Sequence, residues 1–347
     1  MKKRKDKRRF LFCLLAPLSL PVSTANSETT EQCLLRFALK GDADMTLSEL
    51  RSACSSRQNE SNDVVITHQT MRADPSSPMD RRITGEKAAT GNRFVITPHK
   101  PNYILPVSYV SSTNTQPYQP FNARVPDLDN TEVKFQLSLK APVREGVFNG
   151  NGTLYAAYTN TSWWQAYNSA ESAPFRETNH EPELFMMFPT EYPLLGMDLK
   201  AVGFGFSHQS NGRSNYLSRS WNRIYMSFLL EKEQFYAGFK PWYRIPEDKK
   251  KDDNPNSKGD DNPDISQYMG YGELYFGYKF DRHNITAMMR NNLRSNNKGA
   301  VQLDWSFPLT ERFRGYVQYF NGYGESLIDY NISSNRLSVG IMLTDWL

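Results

Sequence analysis

From about residue 94 to the C-terminus, apolar side chains recur at every second position. In VKFQLSLKA, Val133, Phe135, Leu137 and Leu139 alternate with Lys134, Gln136, Ser138 and Lys140. In AVQLDWSFPL, Val301, Leu303, Trp305, Phe307 and Leu309 share a face, and in RLSVGIMLTDW so do Leu337, Val339, Ile341 and Leu343. A period of two is the signature of β-strands with one apolar face. Counting such runs predicts about twelve strands, near 103–110, 133–143, 153–164, 183–191, 199–210, 220–232, 235–245, 267–280, 284–293, 300–309, 313–323 and 335–346. Each is close to the roughly nine to eleven residues that cross a bilayer when tilted.

Connection lengths sharpen the picture. Long connections (111–132, 165–182, 211–219, 246–266, 324–334) contrast with short ones such as Glu233-Gln234, Asp281-Arg282-His283 and Thr310-Glu311-Arg312. Short inner turns and long outer loops are the habit of membrane barrels. The expected fold is therefore all-β: a 12-stranded antiparallel transmembrane β-barrel over residues 94–347, both chain ends on the inner side. Its apolar face meets lipid and its polar face lines the interior. Lys240, Trp242 and Arg244 against Phe239 and Tyr243, and Arg314 and Gln318 against Val317 and Tyr319, predict a polar, hydrogen-bonded and largely plugged lumen. That counts against a general porin.

The first part of the chain reads differently. MKKRKDKRR followed by FLFCLLAPLSLPV, with Ser23-Thr24-Ala25 at the cleavage positions, reads as a signal peptide over residues 1–25. Cys13 leaves with it, and the exported pair Cys33 and Cys54 is expected to form a disulfide. LLRFALKGDADMTLSELRSA between them predicts a stapled helical hairpin over 26–58, with Thr46 and Glu49 spaced as a capping box. A metal site at the pair, lacking a nearby His, is the weaker alternative. Residues 59–93, rich in Ser, Asp, Asn and Arg, read as a flexible linker.

Composition alters little beyond this. No segment after the signal holds about eighteen consecutive apolar residues, so no membrane helix is predicted. Aromatics are 13% of the chain, with 19 Tyr and 20 Phe, as barrel rims require. The net charge of +4 is small and concentrated before residue 100, and does not point to nucleic acid.

Candidate chemistry concentrates in LKAVGFGFSHQS-NGRSNYLSR-SWNRIYMSFLL, residues 199–230. By parity Val202, Phe204, Phe206, His208 and Ser210 share a face, as do Asn222, Ile224, Met226, Phe228 and Leu230. A hairpin centred near Asn215 puts His208 across from Asn222 with Ser210 beside them. A hydroxyl, an imidazole and an amide thus converge at the outer end of an apolar stripe. This is the arrangement of a nucleophile, a base and a base-orienting group. Ser210 would attack an ester carbonyl, His208 would take its proton, and Asn222 would hold the ring. Gly212, just past the nucleophile, can bring a backbone N–H close to an oxyanion. If the apolar stripe faces lipid, so does the trio, and polar groups there are costly unless functional. The bland alternative is that Ser, His and Asn merely mark a wet barrel rim. His68 reads as a surface residue, and His99, His180 and His283 as loop or rim groups.

HQSNGRS and SRSWNR, with SWWQ at 162–165, SAPFRETN from Ser172, KPWY from Lys240, DDNPDI from Asp260 and GYGESLIDYN from Gly322, resemble the outer membrane phospholipase A family in order and register across residues 100–347. The resemblance implies a calcium-dependent outer membrane phospholipase. It would hydrolyse sn-1 and sn-2 acyl esters of glycerophospholipids and lysophospholipids, acting as a homodimer on lipid of its own membrane. It also implies calcium held by the Arg213 carbonyl, the Ser218 hydroxyl and Ser172 of the partner copy, all oxygen donors suited to that ion. The chain departs from the family at Asn215, where an Asp can stand, and at Asn160, where a glutamine contributes to the dimer contact. It departs also in a longer 246–266 loop with DDNP twice, and in its Trp-Leu end. A channel or an adhesive barrel are the competing readings; neither needs Ser, His and Asn on the lipid face.

Overall fold

The structure is a computed structural model that describes residues 77–90, 95–119, 125–252, 254, 257–311 and 313–345. Its elements are α1 (Pro78–Thr90), β1 (Thr97–Pro98), β2 (Asn102–Val110), β3 (Thr131–Glu145), β4 (Thr153–Trp164), β5 (Phe175–Leu194), β6 (Met197–Ser210), β7 (Ser220–Lys232) and β8 (Phe235–Ile245). There follow α2 (Ile265–Met269), β9 (Gly272–Phe280), β10 (His283–Asn291), β11 (Gly299–Pro308), β12 (Arg314–Tyr323) and β13 (Ser333–Thr344). Strands β2 to β13 pair each with the next, and β13 pairs back onto β2, closing a twelve-stranded antiparallel ring. Closure removes every open sheet edge, which a strand in hydrocarbon could not leave unpaired. At the seam the two ends meet, where the Asn102 side-chain amide donates to Thr344 Oγ1 at 2.6 Å.

Side-chain alternation sorts as the period of two demands. Phe204, Phe206, Ile224, Met226, Leu137, Leu139, Leu337 and Val339 are exposed on the outside. Their neighbours in sequence, among them Ser207, Arg223, Tyr225, Lys134, Ser138, Arg336 and Ser338, are buried inside. An apolar exterior around a polar interior is the inverse of a water-soluble core.

The interior is filled. Arg176 holds Glu132 and Asp329, and Arg336 holds Glu132 and Glu325. Lys134 reaches Glu325 at 3.0 Å and Gln318 at 2.7 Å. Nearer the inner end, Lys100, Lys240 and Arg223 neutralise Glu181 and Glu183. The loop 324–332 dips into the outer mouth: Leu327, Ile328, Asp329 and Tyr330 are buried, and the N–H groups of Leu327 and Ile328 donate to Asn179 and Glu177. This explains GYGESLIDYN, whose acids serve the lumen and whose apolar pair caps it. The expected plugged lumen is what the chain builds.

Two elements differ from the sequence expectation. β5 begins at Phe175 rather than near 183. Its outer half carries Glu177, Asn179 and Glu181 inward and Thr178 and His180 outward, so both faces are polar and no apolar period announces a strand. The expected strand at 267–280 splits into α2 and β9, because Gly270 turns the chain at φ 68° and leaves no room for a Cβ beside the Asn291 carbonyl oxygen.

The expected flexible linker 59–93 is also corrected: Pro78–Thr90 is a helix seated against the short-turn end of the barrel. The Glu231 carboxylate accepts from the Met79 N–H at 2.8 Å and from the Ser77 hydroxyl, satisfying one free N–H of the first turn where the helix dipole favours a negative charge. Lys200 pairs with Asp80 at 3.0 Å, and Lys140 with Glu86 at 2.9 Å. A polar helix without an apolar face is docked here by charge, which composition alone does not reveal. The signal segment, the Cys33 and Cys54 hairpin and the rest of the linker through residue 76 lie outside the described residues.

Candidate active site

Hairpin β6–β7 carries the site. Two inward glycines, Gly203 and Gly205, shape it; a Cβ at Gly205 would lie 2.6 Å from Phe185 Cβ and 2.7 Å from Tyr225 Cζ. The absent side chain of Gly205 lets Phe185 and Tyr225 fill the lumen behind the strand. On the outward face, His208 is the register partner of Asn222, and Ser210 that of Ser220. His208 Nδ1 and Asn222 Oδ1 are 2.8 Å apart. An amide oxygen only accepts, so Nδ1 bears the proton and Nε2 keeps its lone pair. Ser210 and His208 stand two residues apart on one strand face, as their parity predicted.

The turn beyond is shaped by Asn211. This buried amide donates to the Leu217 carbonyl at 2.7 Å and accepts from the N–H groups of Arg213 (3.3 Å) and Arg219 (3.0 Å). Gly212 sits at φ 63°, a left-handed conformation that frees its backbone beside Ser210. Arg213 is pinned by its guanidinium to the carbonyls of Phe175 (3.0 Å) and Arg176 (2.6 Å). The Ser218 hydroxyl donates to Asp261 at 2.5 Å. Ser172 lies in the separate loop between β4 and β5, in the left-handed region at φ 60°.

Among the described residues no three His, Cys, Asp or Glu side chains gather as a metal cluster. The donor set at Arg213 and Ser218 is of another kind. Ser218 keeps two lone pairs while its proton goes to Asp261, and a hydroxyl and a backbone carbonyl are hard-oxygen donors of the kind calcium takes.

The structure adds two residues that sequence reasoning passed over. His180, taken for a loop or rim group, is on the outward face of β5 as the register partner of Ser210. Its ring edge lies 3.7 Å from where a Cβ on Gly212 would be, and its Nδ1 meets Tyr158 Oη at 2.6 Å. With Asn160 and Thr178 it forms a polar row on the outward side of β4 and β5, tied together by the buried Ser162 hydroxyl. The second is Glu247, whose Oε1 accepts from Asn222 Nδ2 at 3.1 Å. Extending the register of β7–β8, in which Asn222 faces Ile245, would have pointed to it. Of the other histidines, His99 pairs with Glu183 at 3.0 Å inside the barrel, and His283 stacks between Phe280 and Trp305 at the inner rim.

Comparison with known proteins agrees with this architecture. A family model described as Phospholipase A1 matches residues 79–343. Phospholipase A1 of Klebsiella pneumoniae is 42% identical over 258 residues, 73% of this chain and 84% of its own length. That of Escherichia coli strain K12 is 42% identical over 258 residues, 73% of this chain and 83% of its own. Among solved structures, the outer membrane phospholipase A from Escherichia coli matches with a TM-score of 0.66 at 40% identity, covering 73% of this chain and 100% of that one. A Salmonella typhi outer membrane phospholipase, solved as a dimer with bound calcium, matches with a TM-score of 0.66 at 41% identity, covering 73% and 94%.

Proposed function

The chain belongs to the phospholipase A1 family, and on that premise we propose that it cleaves both sn-1 and sn-2 acyl esters of glycerophospholipids, and those of lysophospholipids, through Ser210, His208 and Asn222. It is an outer membrane enzyme, and its substrate is the lipid around it. The observation that carries the reading is the outward hydrogen bond between His208 and Asn222 at the end of the Phe204–Phe206 stripe, beside Ser210. A nucleophile on the lipid face needs no soluble pocket, because an acyl chain lying along that stripe delivers its ester to the strand end.

The roles follow from the atoms. Ser210 Oγ attacks the ester carbonyl while His208 Nε2 takes its proton; the imidazolium then returns it to the departing alcohol. Asn222 Oδ1 keeps Nδ1–H occupied and holds the ring. Gly212 N–H faces the carbonyl oxygen as it gains charge. Arg213, through its carbonyl, and Ser218, through its hydroxyl, would hold calcium together with Ser172 of a second copy. Bound there, the ion supplies positive charge near the developing oxyanion. A homodimer is supported further by the polar row of Asn160, Thr178 and His180. Such groups are costly against lipid and are relieved when a second barrel covers them.

Fatty-acid release from mixed phospholipid–detergent micelles tests this. Wild type with calcium should release acyl chains from lipids labelled at either position, release should stop with chelator, and Ser210→Ala should be inactive in both. Equal release by the alanine variant would refute the mechanism, and release insensitive to chelator would refute the calcium assignment.

A further inference from the structure

The loop after β8 leaves the strand at Ile245, the register partner of Asn222. Two residues on, Glu247 continues the outward face and reaches back to the Asn222 amide at 3.1 Å. Asn222 therefore works with both its ends: Oδ1 against His208 Nδ1 at 2.8 Å, and Nδ2 against a carboxylate. A primary amide is nearly symmetric in shape, and nothing in its packing alone selects which end faces the imidazole. An ionised carboxylate selects, because it has no proton to give and can meet only the NH₂ end. Were the amide turned over, its oxygen would confront the carboxylate and its NH₂ would take the lone pair of Nδ1. The proton would then sit on Nε2, where the base needs a lone pair.

We propose that Glu247 is a positioning residue of the hydrolytic site: its carboxylate fixes the Asn222 amide, thereby the His208 tautomer, and adds the negative charge behind the imidazolium that a neutral amide lacks. This rests on the reading of Ser210, His208 and Asn222 given above. The charged groups facing Glu247 are Arg244 on β8 and Asp260 and Asp261 of the returning loop. Arg244 is taken by both oxygens of Asp260, at 2.7 and 2.6 Å, and Asp261 by Lys250 at 2.6 Å. The nearby cations are thus matched by the aspartates, while Glu247 is directed at Asn222.

The test is kcat and KM against pH, in micelles with calcium, for the full chain and for Glu247→Gln, Glu247→Ala, Asp248→Asn and Ser210→Ala, each checked for barrel folding by circular dichroism. Glu247→Gln keeps an acceptor and loses the charge, so kcat should stay within about threefold. The acid limb of kcat/KM, which reports His208 in the free enzyme, should move to lower pH. Glu247→Ala should show the same shift with kcat down about tenfold at unchanged KM, the size of one lost charge-assisted hydrogen bond. Asp248→Asn should change neither. An inactive Ser210→Ala with unaltered limbs and kcat in both Glu247 variants would overturn this inference alone, as would an equal shift in Asp248→Asn. An active Ser210→Ala would overturn the triad beneath it.

Discussion

At the scale of single residues, the outward face carrying His208, Ser210 and Asn222 depends on what stands behind it. Gly205 is inward, opposite in parity to His208, and a methyl there would strike the Cβ of Phe185, an atom that cannot rotate away. Gly205→Ala should therefore lower the free energy of unfolding by about 1–3 kcal/mol, as overpacking does, read as a lower urea midpoint in detergent. Residues on one strand or across one hairpin were legible in the sequence, because parity and register are local. Hence His208, Ser210 and Asn222 were readable together, with Gly212 beside them. His180 was not, because the polar outer half of β5 hides the strand that brings it opposite Ser210. Glu247 was not, because a carboxylate in a charge-rich loop looks like any solvated group until the hairpin register is extended past the strand end.

At the scale of elements, the loop between β12 and β13 is held inside the barrel by charge. Burial alone raises the Glu325 carboxyl, but Arg336 and Lys134 outweigh it and hold it down to about 2. A carboxyl depressed in the folded state stabilises fully above its unfolded value, about 4.3, and that contribution is lost as pH falls through the folded value. Glu325→Gln should remove this acid sensitivity. At neutral pH it should also cost about 1–3 kcal/mol, since it takes a charged partner from two buried cations, leaving Lys134 with Gln318 and Arg336 with Glu132; urea unfolding at pH 7 and pH 3 compares the two. The strands themselves were legible nearly to the residue at β4, β7 and β8, the last two each with an apolar outward face and joined by a tight turn. Helix α1 was not, because its docking groups, Glu231, Lys200 and Lys140, lie on three different strands far along the chain.

At the scale of the whole molecule, the described residues form a ring of strands around a lumen full of ion pairs, and among them there is no aqueous path of porin width. Purified protein in a planar bilayer should show no stable ohmic steps; regular conductance of porin size would contradict the filled interior. The ring has one further property, which concerns how it comes into being. Around it, each strand pairs with its neighbour in sequence except at the seam between β13 and β2. Asn102 and Thr344, in contact there, are 242 positions apart. The loop-closure entropy of assembly is thus concentrated in a single late event, while the hairpin bearing Ser210 and His208 forms by nearest-neighbour contacts well before it. A chain interrupted before β13 would carry Ser210 and His208 on an open sheet with a bare edge in hydrocarbon, a state the bilayer does not tolerate. Insertion is therefore coupled to completion: the membrane receives Ser210 and His208 only on a closed ring.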